Sequence, residues 1–157
     1  MDKINEILLS DKYKEILNTL EFLEKDRVFC KHNIEHFLDV ARIAYIKVLE
    51  DRLDYSKEII YAIALLHDIG RVLEYNEGIP HHEGSVILAK EILSETSYDD
   101  KEKEIIISAI ENHRSIDDNV LNKIIYVSDK ISRNCFSCKS EKECYWSTEK
   151  KNLKIKY

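Results

Sequence analysis

Histidine and aspartate residues recur at positions where they could bind metal ions. In ALLHDIGR, His67 and Asp68 stand side by side, and both side chains can reach one point at a helix end. Asp68 has two carboxylate oxygens, so it could bridge two cations. Imidazole and carboxylate ligands suit Mn, Fe, Co, Ni, Zn or Mg. The sequence therefore offers one set of N/O ligands, which consists of His36, His67, Asp68 and Asp129. His113, together with His81 or His82, could complete a second set.

These residues lie on apolar helix faces. His67 follows Ile60 and Ala64 on one face, and Asp129 shares a face with Ile125. A carboxylate buried at such a position needs a strong partner. For any one of them, a satisfied core residue or a buried ion pair is the alternative interpretation, and the case for metal binding depends on the set as a whole.

The elements that must position the set are predicted to be helices. Only three glycines and one proline interrupt the 157 residues. Apolar periodicity and caps predict helices over about 11–24, 32–52, 55–68, 83–95, 99–113 and 117–133. Gly70 is expected to end a helix in the left-handed conformation, and the segment GRVLEYNEGIPHH is expected to form a loop. The only strand signal is the alternating pattern of the C-terminal LKIKY. We expect a single all-α domain, a bundle of about six to seven helices.

Charge and hydropathy limit the partners. A net charge of −6 argues against binding a nucleic-acid polymer. The longest apolar run, residues 59–66, is too short to span a membrane, and the charged N-terminus has no signal-peptide core, which indicates a cytoplasmic protein. If a phosphate-bearing substrate binds here, it must therefore be attracted by positive charge at the site and not by the charge of the whole chain. Two divalent ions beside two carboxylates would leave about +2 at the site.

The stretch HNIEH raises a different interpretation. His32 and His36 four residues apart, with Glu35 between them, match the H-x-x-E-H pattern of inverted zinc peptidases. That reading leaves His67 and Asp68 without a role, and it is the least favoured alternative.

The ordered set resembles the HD-domain metal-dependent phosphohydrolases, which are all-helical and carry the pattern H…HD…D. Here the pattern reads HFLDVARIA from His36, ALLHDIGR, and IIYVSDKISR around Asp129. The resemblance implies an HD domain over 27–133, with an N-terminal helical segment over 1–26 and a cysteine-containing tail over 134–157 packed on it. It also implies two further ligands, in HHEGS and AIENHR, and favours His81 over His82. The implied metal ligands are His36, His67, Asp68, His81, His113 and Asp129.

The same resemblance implies hydrolysis of a phosphoester or phosphoanhydride in a small nucleotide-like substrate by metal-activated water. The six-ligand set is most similar to that of the small bacterial HD hydrolases that split dinucleoside polyphosphates. The catalytic candidates are His67, Asp68, Arg71 and Lys130, and the candidates for binding phosphate are Arg71, Lys130 and Arg114. A di-iron oxygenase and a non-catalytic ligand-sensing module of the same family are the alternatives. The G-Y-P tripeptide of the cyclic-dinucleotide phosphodiesterases is absent.

Four cysteines suggest a second site. The segment CFSCKSEKEC has the spacing C-x2-C-x5-C, and the fourth cysteine lies about a hundred residues earlier; the set is Cys30, Cys135, Cys138 and Cys144. Four thiolates could hold a structural zinc ion or an iron–sulfur cluster, and free thiols are the alternative. The sequence leaves the substrate, the metal and the oligomeric state open.

Overall fold

The computed structural model describes residues 1–115 and 118–157, and within these ranges it contains α-helices, one 3-10 turn and no strand. The predicted all-α class is confirmed. Eight α-helices are described in chain order: α1 (Asp2–Leu9), α2 (Asp11–Leu23), α3 (Ile34–Glu50), α4 (Lys57–Leu66), α5 (Arg71–Glu77), α6 (His81–Ser94), α7 (Asp100–Asn112) and α8 (Val120–Ile131). The 3-10 turn covers Cys135–Ser137.

Helix α4 forms the centre of the bundle, in contact with α1, α3 and α7. Its sequence KEIIYAIALL is apolar on almost every side, as expected for a helix surrounded by others. Every residue from Ala62 to Leu66 is buried. Helix α8 packs on α3, and α6 packs on both α5 and α7. The ends of these helices therefore meet around the end of α4, where His67 and Asp68 follow.

Polar caps define where the helices start. Asn33 accepts a hydrogen bond from His36 N at 3.1 Å, so α3 begins at Ile34 rather than at the predicted residue 32. Asp99 and Glu102 form the expected reciprocal capping box at the start of α7. The predicted helix start at Asp117 lies outside the described residues, and α8 is described from Val120.

Several local predictions were wrong. The segment predicted as a loop contains α5, which ends at Gly78 with a left-handed φ of 75°. Gly70 has φ −65°, so it is not a left-handed stop. A Cβ at Gly70 would lie 2.0 Å from Ser85 N, so this glycine is required by the close approach of α6. The tail LKIKY forms no strand, and the predicted N-terminal helical segment begins with α1, earlier than the helix start expected at about residue 11.

No helix among the described residues is long and apolar enough to cross a membrane.

Candidate metal centre

The six predicted ligand residues converge at the centre of the bundle. The structure groups them into two sets whose ligand atoms all lie within 4.8 Å of one another: His36, His67, Asp68 and Asp129 in the first, and Asp68, His81 and His113 in the second. All six residues are buried. Because Asp68 belongs to both sets, the two form one continuous centre.

Helix ends bring these side chains together. His67 and His113 are the C-terminal caps of α4 and α7, and His81 is the first residue of α6. His36 lies in the first turn of α3, whereas Asp129 lies in the last turn of α8. Residues at helix ends can point toward a common centre without interrupting the backbone hydrogen bonds of the helix interior.

The two oxygens of Asp68 face different groups of imidazoles. Its Oδ2 lies 3.4 Å from His67 Nε2, in the first set. Its Oδ1 lies 3.3 Å from His81 Nε2 and 3.7 Å from His113 Nε2, in the second. Asp129 completes the first set, with Oδ1 at 3.3 Å from His36 Nε2. A carboxylate placed in this way can bridge two cations.

Two of the imidazoles are oriented by backbone carbonyls. The Nδ1 of His67 lies 2.8 Å from the carbonyl oxygen of Ala64, and that of His113 lies 2.5 Å from the carbonyl oxygen of Ile110. A carbonyl only accepts hydrogen bonds, so each Nδ1 carries the proton and donates it. The Nε2 atom of each ring is then free to act as a metal ligand.

A hydroxyl sets the tautomer of His36 in a similar way. Ser132 Oγ donates to the Asp129 carbonyl at 2.7 Å, and its own lone pair faces His36 Nδ1 at 3.2 Å. The ring is therefore protonated at Nδ1. Its Nε2 lies 3.0 Å from a guanidinium nitrogen of Arg133, which donates to it. A metal bound by Nε2 would replace Arg133 as the partner of this atom.

The structure distinguishes His81 from His82. His81 is buried, its Nε2 faces Asp68, and its Nδ1 lies 3.3 Å from Glu74 Oε1 on α5. A carboxylate behind a ligand histidine is the common arrangement in metal sites. His82 is partly exposed, and its Nε2 lies 3.9 Å from Glu83. The geometry favours His81 as the ligand.

The protonation of the centre suits cations. Burial alone would raise the pKa values of Asp68 and Asp129, but the positive charge of His67 and the other imidazoles close to these carboxylates hold both pKa values well below the ordinary range. Burial lowers the pKa values of His36 and His81 to about 4, so both are neutral at pH 7. Burial also acts to lower the pKa of His67, yet the Asp68 and Asp129 carboxylates raise it overall. Two buried carboxylates thus draw positive charge into the centre.

Two buried atoms of the centre have unused bonding capacity. Within the described part of the chain, His67 Nε2 and Asp68 Oδ1 have no hydrogen-bond partner. Buried polar atoms without partners are uncommon and call for an explanation such as an ion. Together with the N/O ligand types, they fit divalent metal binding.

The sequence prediction missed the contact between Glu24 and His32, which lies behind Asp68. His32 Nε2 lies 3.5 Å from Asp68 Oδ2, and His32 Nδ1 lies 2.6 Å from Glu24 Oε1. Glu24 also accepts hydrogen bonds from the His32 backbone N–H and from Tyr75 Oη. These contacts cross the loop between α2 and α3 or reach α5, so local periodicity gave no sign of them. Glu74 was missed because it lies in the segment predicted as a loop.

This geometry does not support the peptidase interpretation. Glu35, its required base, is exposed. His32 lies against Glu24 and belongs to neither ligand set.

The predicted phosphate-binding cations line a cavity beside the centre. The cavity has a volume of about 460 Å³ and contains Asp68 and Asp129 in its wall with all three cations: Arg71, Arg114 and Lys130. Arg71 Nε lies 3.4 Å from Asp68 Oδ1, and Lys130 donates to Asp129 Oδ2 at 2.7 Å. Arg114 is exposed at the rim. The tail also contributes to the wall through Tyr145, Trp146 and residues from 150 to 156.

The four cysteines line a separate cavity of about 240 Å³. All four are free, and their exposure runs from the buried Cys135 to the exposed Cys138. His36 and Arg133 also line this cavity, which therefore adjoins the histidine–aspartate centre.

Comparisons with known proteins agree with this arrangement. Residues 33–134 match the family model described as "HD domain". A protein from Clostridium beijerinckii (strain ATCC 51743 / NCIMB 8052), described as "Uncharacterized protein", is 49% identical over 157 residues and is matched over 100% of both chains. No solved structure matches the chain. With its candidate ligand residues gathered at the ends of its helices, the chain belongs to the HD domain family.

Proposed function

We propose that this protein is a phosphohydrolase that uses two divalent metal ions to cleave a phosphoester or phosphoanhydride in a small, nucleotide-like molecule. The observation that carries the proposal is the position of Asp68, whose two oxygens face two different sets of imidazoles. Bound divalent ions at these ligands would lower the pKa of a water and neutralise the charge of a phosphoryl group. Membership of the HD domain family supports this reaction class.

The residues around the centre have separate roles in the proposal. Arg71 and Lys130 lie beside the ligand carboxylates, where they can contact phosphoryl oxygens. Arg114 is further out and would contact a distal part of the substrate. The pair formed by Glu24 and His32 holds Asp68 from behind and keeps its carboxylate oriented toward the imidazoles.

The cavity and the charge balance support a small substrate. A volume of about 460 Å³ lies within the range of roughly 300–1,000 Å³ found for small-molecule sites. The chain carries a net charge of −6 and so repels long polyanions, whereas two metal ions beside two carboxylates leave about +2 at the centre. A short molecule with accessible phosphates satisfies both conditions.

A phosphate-release screen tests the proposal. Nucleotides and dinucleoside polyphosphates would be incubated anaerobically with Mn, Fe, Co or Mg in turn, and turnover should require metal. Asp68→Asn should abolish it, whereas Asp39→Asn on the exposed face of α3 should retain it. In oxygen-18 water the label should enter a phosphate product. Turnover that appears only after dioxygen is admitted, and that leaves phosphate unlabelled, would assign an oxygenase instead.

A further inference from the structure

The four cysteines surround one cavity although they come from distant segments. Cys30 lies between α2 and α3, and the other three follow α8. Phe29, Trp146 and Lys151 share the cavity wall. We propose that these four thiols hold an iron–sulfur cluster, as a site separate from the histidine–aspartate centre.

The tail winds around this cavity in a succession of turns. The backbone N–H of Cys138 donates to the Cys135 carbonyl at 3.2 Å, and that of Glu141 donates to the Cys138 carbonyl at 3.2 Å. The N–H of Cys144 then donates to the Glu141 carbonyl at 3.3 Å. These turns keep the segment compact, and its three cysteines line the same cavity.

Two arginines stabilise the segment of Cys30, and one of them, Arg133, attaches it to the chain that follows α8. Arg27 Nε donates to the Cys30 carbonyl at 2.8 Å, and Arg133 donates to the Lys31 carbonyl at 2.7 Å. Burial raises the pKa of the Cys30 thiol, and the positive charge of Arg133 acts in the opposite direction. Lys151 in the wall is paired with Glu141 at 2.8 Å, which leaves Arg133 as the cation that acts on the thiols. A cationic group of this kind compensates the negative charge of thiolate ligands.

The separation of the thiols favours a cluster over a single zinc ion. Zinc–sulfur bonds of about 2.3 Å in a tetrahedron place the sulfurs about 3.8 Å apart. Among the described residues, no group of three or more with ligand atoms within 4.8 Å of one another contains a cysteine. The thiols instead stand around a space of about 240 Å³. A cluster of several irons and sulfides occupies such a space and takes one thiolate at each corner.

A cluster here would also fix one wall of the neighbouring cavity. Tyr145 and Trp146 follow Cys144 directly and line the cavity that contains Asp68 and Asp129. Asn152 supports the far end of the loop, where its side chain donates to the Lys130 and Arg133 carbonyls. Between Asn152 and Cys135 the segment has no helix longer than a single 3-10 turn. The cluster would therefore hold Tyr145 and Trp146 in place.

The decisive measurement is acid-labile sulfide, because iron bound at the histidine–aspartate centre would bring no sulfide with it. Protein purified anaerobically, or reconstituted with iron and sulfide, should contain about four sulfides per chain and absorb visible light. Cys30→Ser and Cys138→Ser should each lose the sulfide and the absorption. Ser137→Ala, in the same exposed turn, should keep both.

Other variants separate this inference from the proposed function. Asp68→Asn should retain the sulfide even though it lacks turnover, so the two sites can fail independently. Because Cys138 is exposed, its replacement tests the cluster even where Cys30→Ser does not fold. A full complement of sulfide in Cys138→Ser, or zinc without sulfide in the wild-type protein, would overturn the assignment.

Discussion

The histidine–aspartate centre and the cysteine cavity adjoin each other, yet their ligands are supported in different ways. In the first, every candidate ligand lies at the end or in the terminal turn of a helix, and each of its imidazoles has Nδ1 engaged. In the second, three of the proposed ligands lie in a segment made of turns, and the fourth lies in a loop. One set of candidate ligands is thus held by packed helices, and the other is held by non-helical segments that connect or follow them.

The difference indicates how each site acquires its order. Helix packing and hydrogen bonds fix the imidazoles whether or not metal is bound, so metal binding there orders few residues. The tail has little regular structure of its own, and binding at its thiols would contribute directly to its folding. Removing metal should therefore change the chemistry of the first site and the conformation of the second.

The largest expected effect comes from His67→Ala. The variant removes a candidate ligand of the first set, next to the shared Asp68, so turnover should fall about a thousandfold or more. The tail should remain as resistant to limited proteolysis as in the wild-type protein, since its order depends on the cysteines. His82→Ala, at the neighbouring but partly exposed histidine, is the matched control and should retain turnover. Increased cleavage of the tail in His67→Ala would show that the two sites are not independent.

A smaller effect is expected from Glu74→Gln. The substitution weakens the hydrogen bond behind His81 and leaves the ligand itself in place. Partners of this kind are worth about 10–100-fold in metal affinity, which isothermal titration of the metal-stripped protein would measure. Glu77→Gln, exposed on the same helix, should bind metal like the wild type. Equal metal affinities in the two variants would show that the Glu74 carboxylate does not support the centre.

The smallest effect is a pH-dependent change in stability from Glu24→Gln. Burial alone would raise the pKa of Glu24, but hydrogen bonds from His32 and Tyr75 lower it from 4.5 to about 2. A carboxyl with a lowered pKa stabilises the fold above its unfolded-state value, and the contribution is lost as the pH falls from about 4.5 toward 2. Glu24→Gln should therefore cost about 1–3 kcal/mol of unfolding free energy at pH 7 and less at pH 3.

Denaturant unfolding at the two pH values measures this difference. Glu21→Gln, exposed one turn earlier on α2, controls for the loss of a charge. A deficit in Glu24→Gln that stays constant between pH 7 and pH 3 would contradict the proposed role of the carboxylate.

Most of the helices could be predicted because their signals are local. The apolar periodicity of α3 and α4 and the Asp99 capping box act within a few residues of the chain. Helix α5 was missed because glycines at both ends gave its segment the composition of a loop. The role of Gly70 was assigned incorrectly for a related reason, since the requirement comes from α6 and not from its own backbone conformation.

The sequence by itself determined the helical class and the ligand types, because periodicity and residue chemistry are properties of the chain. It also indicated that His36, His67, Asp68 and Asp129 belong together. Only the tertiary structure decided which oxygen of Asp68 faces which imidazole, that His81 rather than His82 points inward, and that Glu24 stands behind His32. Those relations join residues on different helices, and their geometry depends on how the helices pack, which no local pattern encodes.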